Sequence, residues 1–125
     1  MRDFRELKVW QLAHQLALDT YKMTGGLPRQ EMYGLTLQLR RSAVSVGANI
    51  VEGSARHSDA SMRQFLTIAH GSTAELEYLI LIARDLGYLD SEAHEALSRR
   101  CVDLRRMLSM FIRRLSSKPK PGHKT

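Results

Sequence analysis

Three arginines spaced seven apart, Arg99, Arg106 and Arg113, are the residues of this sequence best placed to do chemistry. Around them stand Arg100, Arg105, Arg114, Lys118 and Lys120. From Leu97 to Thr125 there are nine Lys or Arg against one acid, Asp103, whereas the first 96 residues hold ten bases and twelve acids. The overall charge of +6 is thus an excess confined to the last quarter of the chain. Guanidiniums in a row suit the phosphates of a polyanion, which they neutralise with release of counterions. The competing reading is a solvated, solubilising helix face.

Other chemistries find no residues. A di-iron site in a helical bundle needs Glu-x-x-His on two helices. The residues three before His14, His57, His70, His94 and His123 are Gln11, Ser54, Thr67, Ser91 and Lys120, none acidic. There is no His-x-x-x-His, no phosphate-loop glycine pattern and no Gly-x-Ser-x-Gly. The single Cys101 cannot form an internal disulfide and reads as a buried structural thiol. The expectation is a non-enzyme with no cofactor and no metal.

The basic residues need a scaffold, and the hydrophobic spacing supplies one. Leu97, Cys101, Leu104, Leu108, Phe111 and Leu115 make a heptad seam. With Leu97 at d, Arg99, Arg106 and Arg113 fall at f, opposite the seam, flanked by Arg100 and Arg114 at g and Arg105 at e. Three further helical blocks precede this one. The first spans about 5–24, with Val9, Ala13, Leu16, Thr20 and Met23 on one stripe, and is closed by Gly25-Gly26-Leu27-Pro28, where glycine accommodates a left-handed cap. The second starts between Arg29 and Tyr33 and runs to Ala55 on the stripe Met32, Leu35, Leu39, Ala43, Val46, Ile50, Gly53. The third spans about 59–86 on Met62, Phe65, Ala69, Ser72, Leu76, Leu79, Ala83, Leu86, with a cap at Ser58-Asp59. The fourth begins at an Asp90 or Ser91 cap and ends near Ser117. Residues 118–125 hold two prolines and three lysines and no core-forming residue, which predicts a disordered basic tail. Helices joined by short breakers predict an all-α, antiparallel up-down-up-down four-helix bundle over 1–117.

Composition agrees: 43% apolar and 26% charged residues describe a globular chain, and only 6% are aromatic. No secretory signal and no apolar run near the ~20 residues of a membrane span is present, so a cytoplasmic protein without a membrane partner is expected. Gly47 and Gly53, inside the second helix, predict close helix approach. Arg41 and Arg56 are placed to pair with Glu52 or a neighbouring acid, and Asn49 to bridge helices. Around Tyr78, Ile80, Leu81 and Ile82 the third helix is apolar on every side, which predicts self-association there.

These residues also carry a family likeness. Asp3 to Gln11 (DFRELKVWQ), Gln38 to Ala43 (QLRRSA), Asn49 to Gly53 (NIVEG), and Glu75 to Tyr78 (ELEY) followed by Asp85 to Leu89 (DLGYL) resemble the four-helix-bundle family of proteins encoded by intervening sequences in bacterial large-subunit ribosomal RNA genes. That family is similar to the accessory variability protein of diversity-generating retroelements. The resemblance covers about 3–115 and implies an antiparallel bundle assembled as a ring-like homopentamer. In the retroelement branch the pentamer binds nucleic acid and a reverse transcriptase through basic surfaces. The resemblance brings no catalytic residues, so the basic ridge rests on this chain's own charge pattern. The combined expectation is a homopentameric scaffold binding RNA or DNA electrostatically through its fourth helix. The alternative is a scaffold docking an acidic partner protein with no nucleic-acid role.

Overall fold

A computed structural model of the protein describes residues 3–117. Four α-helices run in order: α1 (Lys8–Thr24), α2 (Leu35–Ser54), α3 (Asp59–Asp85) and α4 (Ser91–Ser117). Single 3-10 turns at Phe4–Glu6 and Arg29–Glu31 precede α1 and α2. No strand occurs among the described residues. Each helix lies beside its neighbours in an antiparallel ring, α1 against α2, α2 against α3, α3 against α4 and α4 back against α1. The expected basic tail at 118–125 lies outside the described residues.

The helix ends follow from local chemistry. Ser58 accepts the backbone N–H of Ser61 at 3.1 Å and opens α3. Asp90 accepts that of Ala93 at 2.8 Å and opens α4. Each cap satisfies one donor that a helix start otherwise leaves orphaned. The left-handed glycine is not at Gly25, whose φ of −60° is right-handed, but at Gly87, with φ +81°. There the N–H of Gly87 bonds the carbonyl of Arg84 and that of Tyr88 bonds Ala83, both at 2.9 Å, a Schellman closure of α3. Tyr88 then donates its hydroxyl to Glu31 at 2.9 Å, tying the α3–α4 loop to the α1–α2 loop. That bond to a carboxylate holds the Tyr88 phenol above its ordinary pKa, with some desolvation helping.

The core is the meeting of the four apolar stripes. Leu16, Leu39, Ile50, Leu66, Leu76, Ile80, Leu104 and Leu108 are all buried, each contributing about 1.5–3 kcal/mol by leaving water. The fully buried hydroxyls of Thr20 and Thr73 donate to the carbonyls of Leu16 and Ala69, both at 2.8 Å, so neither is left unmet. The α4 seam stands as its spacing predicts, with all six of its apolar positions buried. On α3 the buried arc is wider than one heptad seam, because the helix packs on α2 and α4 at once. It takes in Leu66, Thr73 and Ile80, and leaves Leu86 55% exposed. Ile80 is therefore a core residue of the single chain and not a contact for a second copy. Of the expected contact residues Tyr78 is exposed, and Leu81 and Ile82 are half-buried. Met32 belongs to the turn before α2 and is exposed as well.

Gly53 is where a glycine is needed. A Cβ there would lie 3.1 Å from that of Phe65 and 3.3 Å from the carbonyl oxygen of Met62, so α2 and α3 cross in close approach. Further along the same seam Ser45 and Ser72 share a hydrogen bond at 2.9 Å. Asn49 does not bridge the helices itself; it donates to Ser45 within α2, and Ser45 makes the link.

Candidate nucleic-acid interface

The amphipathic build of α4 sets the geometry of the basic ridge. Its seam is turned inward, so positions opposite must face water, and Arg99, Arg106 and Arg113 are all exposed. Seven residues advance an α-helix by about 10.5 Å, which sets the interval between successive guanidiniums along the ridge. Arg106 and Arg113 make no ion pair among the described residues. Arg99 touches only Glu95, one turn back in the same helix, at 3.8 Å with both side chains mostly in solvent. A pair so exposed holds the guanidinium weakly.

Two arginines assigned from sequence to the same surface do different work. Arg105 is half-buried and donates through Nε and Nη2 to one oxygen of Glu77 on α3, at 3.0 and 2.7 Å. Arg100 pairs across the other seam with Asp19 of α1. These two side chains tie α4 to its neighbours and, unlike the three at the ridge crest, have acids of other helices against them. Arg114 is exposed and lies over the ring of Phe111, 5.5 Å from its centroid. Lys118 and Lys120 lie outside the described residues.

Two hollows border the ridge. Towards α3 is a cleft of about 510 Å³, walled by Arg84, His94, Glu95, Ser98, Arg99 and Arg106. Towards α1 is a groove of about 600 Å³, formed by Leu12, Leu16 and Met107, with Gln15 and Arg100 beside them. Asp103 and Arg106 stand in the walls of both hollows. Spacing on a single helix gave no sign of either hollow, since each is made by two helices.

Another face, along α1 and α2, carries exposed apolar residues. Leu18 and Tyr21 of α1 and Val44 of α2 are each nearly half exposed. They share a shallow groove of about 380 Å³ with Phe4, Trp10 and His14. Trp10 is packed edge-on by Phe4 at 4.9 Å and stacked by His14 at 4.8 Å. Arg40 lies over the Tyr21 ring and donates to Thr24 at 2.8 Å, fastening the end of α1 to α2. Exposed apolar residues thus stand on α1 and α2 as well as on α3, where Ile68, Tyr78 and Leu86 are exposed. The signal available was Leu18 and Val44, apolar residues that fall off the stripes of their own helices.

The remaining polar residues settle as local structure. Arg56 pairs with Glu52 one turn away at 3.1 Å, and its guanidinium covers the Phe65 ring. Cys101 is fully buried on the α4 seam, and burial, with the Glu77 carboxylate adding to it, pushes its thiol up to about 12. Among the described residues no group of three or more His, Cys, Asp or Glu could hold a metal ion. No helix among them is long and apolar enough to cross a membrane.

Comparison with known proteins agrees with this architecture. A solved protein of unknown function from the S23 ribosomal protein family of Bacteroides thetaiotaomicron superposes with a TM-score of 0.78. It is 24% identical, and the match covers 84% of this chain and 95% of the other, which bears on the fold alone. No curated protein matches the sequence. The family model of the 23S rRNA-intervening sequence protein, a designation that names no enzymatic activity, matches residues 5–110. By that match, over most of its length, the chain belongs to the family of 23S rRNA-intervening sequence proteins.

Proposed function

We propose that this protein is a non-enzymatic, homo-oligomeric scaffold, pentameric as its family resemblance implies, that binds RNA or DNA through the outer face of α4. The observation that carries the reading is the contrast within one helix. Arg99, Arg106 and Arg113 point away from the bundle with no neighbouring helix neutralising them, while Arg100 and Arg105 are taken up by Asp19 and Glu77. Guanidiniums held on a rigid helix, with no acid from a neighbouring helix against them, suit a polyanion better than a fold-stabilising role. Repeating the row around a ring multiplies weak phosphate contacts into useful avidity. The exposed strip of Leu18, Tyr21 and Val44, with Tyr78 of α3, offers apolar surface for a second copy to cover.

The test is fluorescence anisotropy of nuclease-treated protein with structured RNA and duplex DNA across a salt series, beside light scattering. Binding is expected to weaken log-linearly with salt, at a mass of five chains. The Arg99/Arg106/Arg113→Glu variant is expected to abolish binding at unchanged mass. No binding at low salt overturns the reading and turns attention to an acidic protein partner.

A further inference from the structure

We propose that the junction of the two hollows at Asp103 and Arg106 is a site for one unpaired ribonucleotide of a single-stranded RNA, with its phosphate on the ridge and its base in the α1–α4 groove. The inference rests on the ridge being a nucleic-acid surface and goes beyond it by naming what the surface selects. Asp103 and Arg106 are neighbours on α4, three residues apart and of opposite charge, and both are exposed. Yet neither side chain makes an ion pair or hydrogen bond, with the other or with any described residue. Both line the α3-side cleft and the apolar groove, so a cation and an anion with no hydrogen-bonded partner stand side by side where the hollows meet.

A flat phosphate track has no use for that carboxylate, which repels a backbone passing over it. A nucleotide does. It presents an anion, then hydroxyls, then a flat ring with an apolar face and a polar edge. Across the surface the protein presents the matching order. Arg99 and Arg106 meet the phosphate, and Asp103 accepts from the ribose 2′-hydroxyl, the group that tells RNA from DNA. Leu12 and Met107, over the buried Leu16, then take the ring, with the Gln15 amide beside them for its edge. Met107 brings a polarisable thioether, which makes favourable contacts with aromatic rings and stands in for the aromatic platform this groove lacks. The groove volume of about 600 Å³ is in the range of small-molecule sites and holds a nucleobase with room to spare. Bases stacked inside a duplex cannot enter it, so the strand must be unpaired there.

Charge alone predicts the reverse preference, because a duplex carries the denser phosphate array and the steeper salt dependence. Anisotropy of the full-length protein with a labelled single-stranded RNA of mixed sequence, the same sequence as DNA, and the corresponding RNA duplex therefore decides the matter. The single-stranded RNA is expected to bind more tightly than the duplex. Leu12→Trp, which fills the groove, is expected to weaken single-strand binding about tenfold, the order of one lost base contact, and to leave duplex binding unchanged. Asp103→Asn, an exposed change with little bearing on folding, is expected to bring RNA affinity towards that of DNA. Single strands binding no better than duplex, with Leu12→Trp changing neither, would overturn this site and leave the ridge standing. Failure of every probe to bind at low salt overturns the ridge and this site together.

Discussion

The α2–α3 seam and the α1–α4 seam are made by the same kind of helix and are built in opposite ways. At the first, Gly53 removes a side chain so that Phe65 and Met62 can press against the α2 backbone, and Ser45 meets Ser72 directly. At the second, Leu12, Leu16 and Met107 leave an open groove, and Asp19 with Arg100 makes the link at one end. Both seams join apolar stripes, so the difference lies in what stands at the edges. Small residues let helices close; long charged side chains hold them apart and spend their contacts on one another. A bundle built this way has one seam for stability and one free to be used.

The largest effect should come from the closed side. Leu66→Ala, at a position with no exposure, is expected to cost about 2–5 kcal/mol, through lost burial and the cavity left behind. Urea denaturation followed by circular dichroism measures it. Met107→Ala, at the open groove and only half-buried, should cost less than half as much. Equal losses would mean that the α1–α4 groove is closed in solution, and the comparison would fail.

Adding volume should separate the seams in the other direction. Gly53→Leu forces a branched side chain against Phe65 and the Met62 carbonyl, and is expected to destabilise by about 1–3 kcal/mol. Leu12→Trp adds volume to a space already present and is expected to change the unfolding free energy by less than about 1 kcal/mol. A smaller effect is expected from the two ties of α4. Glu77 and Arg105 are each about one-third exposed or less, and a double-mutant cycle should give a coupling of about 1 kcal/mol. Arg100 with Asp19 has its guanidinium half in water and should give about 0.5 kcal/mol.

These contrasts also mark how far the sequence could be read. Four blocks, their breakers and the caps at Ser58 and Asp90 were legible, because each is set by residues within one or two turns. The close approach at Gly53 was legible too, since a glycine on an apolar stripe has few other uses. What failed needed two helices at once. Arg100 and Arg105 looked like members of the ridge until the register between helices set Asp19 and Glu77 against them. Ile80 looked surplus on α3 while only one seam was counted, and became core once α2 and α4 both packed there. Gly25 needs no left-handed backbone because α1 tightens into i to i+3 bonds, Gly26 N–H to Met23 and Leu27 N–H to Thr24, whereas Gly87 closes α3 at φ +81°. The hollows flanking Asp103 were invisible for the same reason: a single helix has faces, and only a pair has a groove.

The smallest expected effect is an absence, and it tests which seam α4 answers to. Cys101 is fully buried, and the charges felt by its thiol, Glu77 and Arg105, belong to the α3 side and not to the open groove. A thiol pushed up to about 12 remains protonated at pH 8, whereas the unfolded chain exposes one near the ordinary value of about 8.5. The folded state therefore holds its proton more tightly. Stability from this group is complete below pH 8.5 and is lost as pH rises towards 12. At pH 8 a thiol reagent should label Cys101 only through unfolding, with a urea dependence equal to that of the global transition. Labelling with a shallow urea dependence would mean that α4 swings away from α3 by itself. The open groove would then be a symptom of a loosely held helix, and the two seams would no longer differ by design.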